Sequence, residues 1–184
     1  DAGFFAVPLT TSTWDGGGGD SNWSTAANWV GDTAPAAGFD LIFPFSTNTS
    51  PVNDLAAGTD FTGLNFDGGA TSYTLTGNAI GISNFVRNTS LNPQAIEMPL
   101  ELNGALNFDA LNSSLFIDAP VSGPHGITKT GANRLELTAN NSYTGDTAIT
   151  TGTLSIGDGD VTGSIDPTGT VSFGAGTTTR LEIN

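Results

Sequence analysis

Two acidic, glycine-rich stretches are the first places in this sequence where chemistry could gather. "DGGGGD" (Asp15 to Asp20) and "GDGD" (Gly157 to Asp160) set carboxylates on turns that glycine keeps tight, so their oxygens could converge on a hard cation. Asp15, Asp20, Asp158 and Asp160 are therefore the calcium candidates, because an all-oxygen ligand set favours that metal. Neither stretch follows the EF-hand loop or the repeating calcium-roll pattern. Ordinary turn chemistry is the expected role, with no metal or other cofactor. His125 stands alone in "SGPHGI", and the chain has no Cys, so neither a zinc site nor a thiol dyad can be built. No nucleophile-elbow motif is present. Eighteen carboxylates exceed the two that a glycosidase needs, but no pair stands out. Four scattered bases are too few for lyase chemistry on acidic sugars. No catalytic residue and no enzyme activity are expected.

Aromatic and hydroxyl residues offer binding instead. Trp14, Trp23 and Trp29 are the only tryptophans, and they sit close together near the start. Exposed, their rings would stack on sugar faces; buried, they would cover the open apolar end of a stacked fold. The cap is the expected role. Ranks of Thr in "TAITTGT" and at Thr177 to Thr179 raise ice binding, but their spacing is irregular and Thr is also a good strand former.

Composition narrows the setting. The chain has 184 residues, enough for one continuous core; 37% are apolar and only 12% charged, about half the usual charged share. Neutral polar residues fill the gap, with 25 Gly and abundant Thr, Asn and Ser. That alphabet suits strands and turns, not helices. A net charge of −14 disfavours nucleic acid and anionic membrane surfaces as partners. No apolar run is long enough for a membrane-spanning helix. The first residue, Asp1, is not Met, which reads as a processed or excised product, and the composition suits a bacterial exported protein.

Any such residues would be positioned by strands. Helix signals are nearly absent, the best being about one turn at "STAANW" (Ser24 to Trp29) after a Ser cap. Elsewhere apolar residues alternate: Phe61, Leu64 and Phe66; Tyr73 and Leu75; Ile80 and Ile82; Leu100 and Leu102; Leu106 and Phe108; Leu115 and Ile117. The scheme continues at Leu135/Leu137, Leu154/Ile156, Val171/Phe173 and Leu181/Ile183. Period two between Gly, Asn and Pro corners marks half-buried strands. The monotony of the pattern predicts an all-β, right-handed parallel β-helix of five or six coils, each of roughly 20 to 30 residues. The alternative is a β-sandwich.

The stretch "GITKTGANRLELTANNSYTGDTAITTGTLSIGDG" (residues 126 to 159) resembles the autotransporter-associated β-strand repeat of bacterial exported, adhesin-like proteins. The resemblance rests on Lys129, Gly131, Leu135, Leu137, Asn141, Tyr143, Gly145, Thr147, Gly152 and Leu154; Asn133 and Ala139 replace glycines often seen there. "TWDGGGGDSNWSTAANWVGDTAPAAGFDLIF" is similar to the segment that commonly opens such proteins, through Trp14, Asp15, Trp23, Asn28 and Trp29. This likeness implies a parallel β-helix, secretion, and a surface or matrix role, and it brings no catalytic residues.

The expected organisation is an extended apolar segment over residues 1–12 and a single β-helix domain over 13–184, with its Trp-rich cap at 13–44. The expected function is a non-catalytic extracellular structural or adhesin-type β-helix, with carbohydrate binding as the alternative and ice binding a lesser one. Expected partners are copies of itself, neighbouring coils or surface glycans. Phe4, Phe5, Val7 and Leu9 at one end and Leu181 and Ile183 at the other could join copies head to tail into a filament. Leu135, Leu137, Leu154, Ile156, Val171 and Phe173 are expected to point inward. Thr147→Ala is expected to do little.

Overall fold

The computed structural model describes residues 10–159, 162–166, 168–175 and 178–184. Phe4, Phe5, Val7, Leu9 and Asp160 lie outside them. Seventeen short strands follow one another along the described chain. They are β1 (Thr11–Thr13), β2 (Asp40–Phe43), β3 (Val52–Asn53), β4 (Thr59–Phe66), β5 (Thr74–Gly77), β6 (Ile80–Asn88), β7 (Gln94–Ile96), β8 (Leu100–Leu102) and β9 (Leu106–Ala110). Then come β10 (Leu115–Ile117), β11 (Val121–Ser122), β12 (Ile127–Thr130), β13 (Arg134–Leu137), β14 (Thr147–Ile149), β15 (Thr153–Ile156), β16 (Val171–Phe173) and β17 (Arg180–Ile183). The only helical element among the described residues is a 3₁₀ turn at Ala26–Asn28. It lies inside the stretch expected to be helical, but Thr25 precedes it and makes no side-chain cap, while Ser24 bonds Asp54 instead.

Every strand pairing is parallel, and apart from β1 on β2 none joins strands consecutive in sequence. A ten-stranded sheet runs β1-β2-β4-β6-β9-β12-β14-β16, with β8 and β11 branching from β6. A seven-stranded sheet runs β17-β15-β13-β10-β7-β5-β3. Such pairing requires the chain to circle back. Paired residues lie 19 to 24 apart, except for 29 where β1 lies on β2 and 27 where β15 lies on β17. The result is a parallel β-solenoid of about six turns. The expected architecture holds and the sandwich does not.

Alternation decides which side chains stack. Leu75, Ile96, Ile117, Leu137 and Ile156 form one inward column, in register from β5 to β15, and all five are buried. Leu41, Leu64, Val86 and Phe108 begin a second column in the other sheet. Between the sheets, Asn side chains fasten corner to corner. Asn92 Nδ2 donates to Ala70 O at 2.8 Å, Asn112 to Thr89 O at 2.7 Å, and Asn133 to Leu111 O at 2.8 Å, each one coil back. Each such bond contributes about 1 kcal/mol net and fixes the register of a turn that has little apolar surface of its own. The high Asn content thus serves the fold.

Four of the six expected inward residues, Leu135, Leu137, Leu154 and Ile156, are buried. Val171 and Phe173 continue the register of Thr147 and Ile149, yet they are exposed, because no further described coil packs over them.

Candidate functional site

The N-terminal end of the stack is closed by aromatic rings. Trp14, Trp23 and Trp29 each have no exposed surface. Trp14 and Trp23 both meet Trp29 edge to face, at centroid distances of 5.2 and 6.0 Å, and Phe43 lies among all three. Trp14 and Trp29 also form an antiparallel bridge, and Val30 N donates to Thr13 O beside β1. Trp14 Nε1 donates to Asn48 O at 2.9 Å and Trp29 Nε1 to Trp23 O at 2.8 Å. Trp23 Nε1 is buried without a hydrogen-bond partner. Rings placed this way offer no face to a sugar.

The acidic turns above this cluster satisfy their own backbone. Asp15 Oδ1 accepts from Gly17 N at 3.0 Å. Asp20 Oδ1 accepts from Asn22 N and Asn28 Nδ2, each at 3.0 Å, and its Oδ2 accepts from Thr25 Oγ1 at 2.9 Å. These bonds, with the Asn22 N–H foremost, hold the Asp20 carboxyl below the ordinary carboxylate value. Asn28 Oδ1 in turn accepts from Gly18 N at 2.8 Å, so the loop is tied to the 3₁₀ turn. Among the described residues, no three His, Cys, Asp or Glu side chains converge as metal ligands would. Asp158 and His125 are exposed, far along the chain from Asp15 and Asp20. Leu181 is half-buried and Ile183 is exposed on β17.

A further set of specific polar contacts falls in residues 126 to 156. Lys129 occupies an inward position of β12, in register between Phe108 and Ile149, and its side chain is fully buried. Its Nζ donates to Thr130 O at 2.6 Å, Gly131 O at 2.8 Å and Thr151 O at 3.2 Å. One ammonium thus joins corner carbonyls of two successive coils. Burial pulls its pKa down to about 8, with Asp109 opposing, so the group is charged at neutral pH. Gly131 adopts φ +79°, and a Cβ there would strike the backbone of Ala110 and Leu111.

The rest of the motif works the same way. Leu135, Leu137 and Leu154 point inward with no exposed surface. Asn141 Oδ1 accepts from Val121 N at 2.9 Å on the coil below, while its Nδ2 donates to Ser164 O at 2.9 Å on the coil above. Tyr143 is buried, and its hydroxyl lies 2.8 Å from the Thr147 Oγ1, also buried. Burial pushes the Tyr143 phenol up to about 12. The tolerance expected of Thr147→Ala is therefore corrected: Ala would strand a buried phenol. At Gly145 a Cβ would run into the backbone of His125 and Gly126. Sequence reasoning quoted these residues as a pattern but missed that Lys129 is interior and that Thr147 faces Tyr143. The available signal was spacing: Lys129 and Thr147 fall on the inward parity of their strands.

No curated protein and no solved structure matches the chain. Residues 127–156, the stretch that ties three coils together, match the family model described as passenger-associated-transport-repeat, in agreement with the repeat resemblance seen in the sequence.

Proposed function

We propose that this chain is a non-catalytic structural segment of an exported, passenger-like protein, built to form part of a rigid extracellular stalk. One observation carries the reading: the buried polar residues of the matched repeat are committed to contacts within the solenoid, Lys129 and Asn141 from coil to coil and Tyr143 with Thr147 inside one coil. Lys129, Asn141, Tyr143 and Thr147 bond the coils' own backbone or each other. Solenoids of this type gain length by adding coils, each stabilised by its neighbours. The repeat match supports export, and the low content of bases supports a partner other than nucleic acid or anionic membrane.

The test is display. The chain would be placed behind an export signal and ahead of an outer-membrane β-barrel, then probed on intact cells with added protease. Folded, externally cleavable protein is the expected result; protein that stays inside although it folds when purified would overturn the reading. Adhesive and filament-forming roles are finer forms of it. The exposed Val171, Phe173 and Ile183 favour end-to-end joining. Electron microscopy of the full chain and of a form lacking residues 1 to 10 should show filaments only for the former. Single particles from both would remove the filament role and leave the structural one.

A further inference from the structure

The corner between β8 and β9 carries an asparagine that is held unlike its counterparts. Asn103 is exposed, and its backbone N–H donates to Ile82 O on the coil below at 3.0 Å. Its Nδ2 reaches past that coil to Asp60 Oδ1, 3.3 Å away and 43 residues back. Asp60, Gly81 and Glu101 stand in register on three successive coils. Gly81 lies beneath the reach, where a Cβ would strike Asn103 Nδ2. The bond is thus a clasp over two coils. Its acceptor is a carboxylate, and the exposed Glu101 adds another acid to the same outward row.

The residue that follows makes this corner reactive. Gly104 packs so closely on the Ser83 carbonyl that any Cβ would collide with its oxygen, so the fold demands glycine there. Among the described residues, the Gly104 N–H has no hydrogen-bond partner. An Asn amide beside an unhindered, unbonded peptide nitrogen is placed to close a cyclic imide with it. No other Asn in the sequence precedes glycine. Asn78, Asn112 and Asn141 precede the small residues Ala and Ser, yet each amide is tied to a backbone carbonyl, at 2.8, 2.7 and 2.8 Å. The longer, exposed bond to Asp60 restrains Asn103 least.

We propose that Asn103 is a self-modification site, where the corner converts its own amide to a carboxylate and so opens the clasp. Gly104 N attacks Asn103 Cγ, the Cγ–Nδ2 bond breaks, and the nitrogen leaves as ammonia with the proton given up by Gly104 N. Water then adds to either carbonyl of the cyclic imide, leaving aspartate or isoaspartate at residue 103. Water is the only co-reactant. Either product removes the donor that Asp60 accepts and sets a like charge beside it. Isoaspartate also adds a methylene to the main chain directly after the bond that sets the corner's register. The change runs one way, so the converted fraction records the age of a copy.

Peptide mapping of the full chain by mass spectrometry, sampled over weeks in mildly alkaline buffer, tests the site. The peptide holding Asn103 should show the amide-to-acid mass change about tenfold faster than those holding Asn78, Asn112 or Asn141, with isoaspartate at residue 103. Asn103→Gln keeps the donor amide and should stay unconverted. Conversion elsewhere as fast as at Asn103, or none at Asn103, would overturn the site. Hydrogen exchange reads the clasp. Asn103→Asp should speed exchange over residues 80–85 and 100–106 about threefold and leave 127–137 unchanged. Adding Asp60→Asn removes the repulsion and should restore slow exchange. Asn103→Asp that matches the parent, stays fast in the double variant, or loosens 127–137 equally would overturn the opening.

Discussion

Trp29 and Phe173 both stand at an end of the same stack, yet the first has no exposed surface and the second shows 54% of its own. The difference lies in geometry, since both are large apolar rings. At the N-terminal end β1 still lies parallel on β2, but the chain beside it breaks the repeat. Trp14 and Trp29 pair antiparallel, the 3₁₀ turn at Ala26–Asn28 folds over, and Asp20 pins the loop through Asn22, Thr25 and Asn28. At β16 and β17 the parallel scheme simply continues, leaving an inward column facing outward. A repeating column cannot seal itself with more of the same pattern; sealing takes an element that breaks the repeat.

The sharpest way to break this comparison uses one column, Leu137–Ile156–Ile183, in register across β13, β15 and β17. Leu137→Asp should cost several kcal/mol and unfold the domain, because it buries an unpaired carboxylate. Ile183→Asp, at a site 77% exposed, should change urea stability by less than about 0.5 kcal/mol. Equal losses would mean that the end is not open. Next in size, Trp29→Ala should cost about 3 to 5 kcal/mol by loss of packing, against under about 1 for Phe173→Ala. Circular dichroism during denaturation measures both.

A pH series sharpens the contrast between the interior of the repeat and its corners. Lys129 releases its proton near 8 when folded, while an unfolded lysine holds it to the ordinary value of 10.5. Between those values the unfolded chain binds more protons, so stability should rise with pH, by something of the order of 2 kcal/mol. Tyr73 and Tyr143 act oppositely: both are pushed up to about 12 when folded, so stability should fall as pH climbs from 10 toward 12. Thermal melts from pH 7 to 10 should show the rise, and Lys129→Met should flatten it. A parent chain that is flat over this range would mean that Lys129 is not enclosed. The smallest effect concerns the cap alone. Trp29→Phe loses a bonded indole, whereas Trp23→Phe removes one that bonds nothing, so the first should be less stable by about 1 kcal/mol.

Alternation at Leu135/Leu137 and Leu154/Ile156 made the solenoid legible before any coordinates, because side-chain parity is a local property of a strand. Lys129 was harder. Parity places it inward, but its charge argues for solvent, and only the three corner carbonyls supplied by Thr130, Gly131 and Thr151 resolve the conflict. Thr147 was misjudged for a related reason: its hydroxyl suits the surface, and the partner that makes it welcome inside, Tyr143, is named by no spacing rule. Val171 and Phe173 follow the pattern faithfully and are still exposed, since parity says which way a residue points and not whether anything lies there. The double hold of Arg134 on Glu136 and Glu182 depends on coil-to-coil register, which the sequence does not state.

The near-regular separation between paired residues of successive coils also has a mechanical meaning. A pull on the two ends loads the coils in series, since each is tied only to the one before and the one after. Failure of one coil of about 21 residues frees roughly 70 Å of chain at about 3.4 Å per residue, and the next coil then bears the load. Yielding should reach the tryptophan lid last, since its rings are fully buried. Under tension the molecule would lengthen in small, nearly equal increments from one end, a ratcheted extension in place of a single rupture.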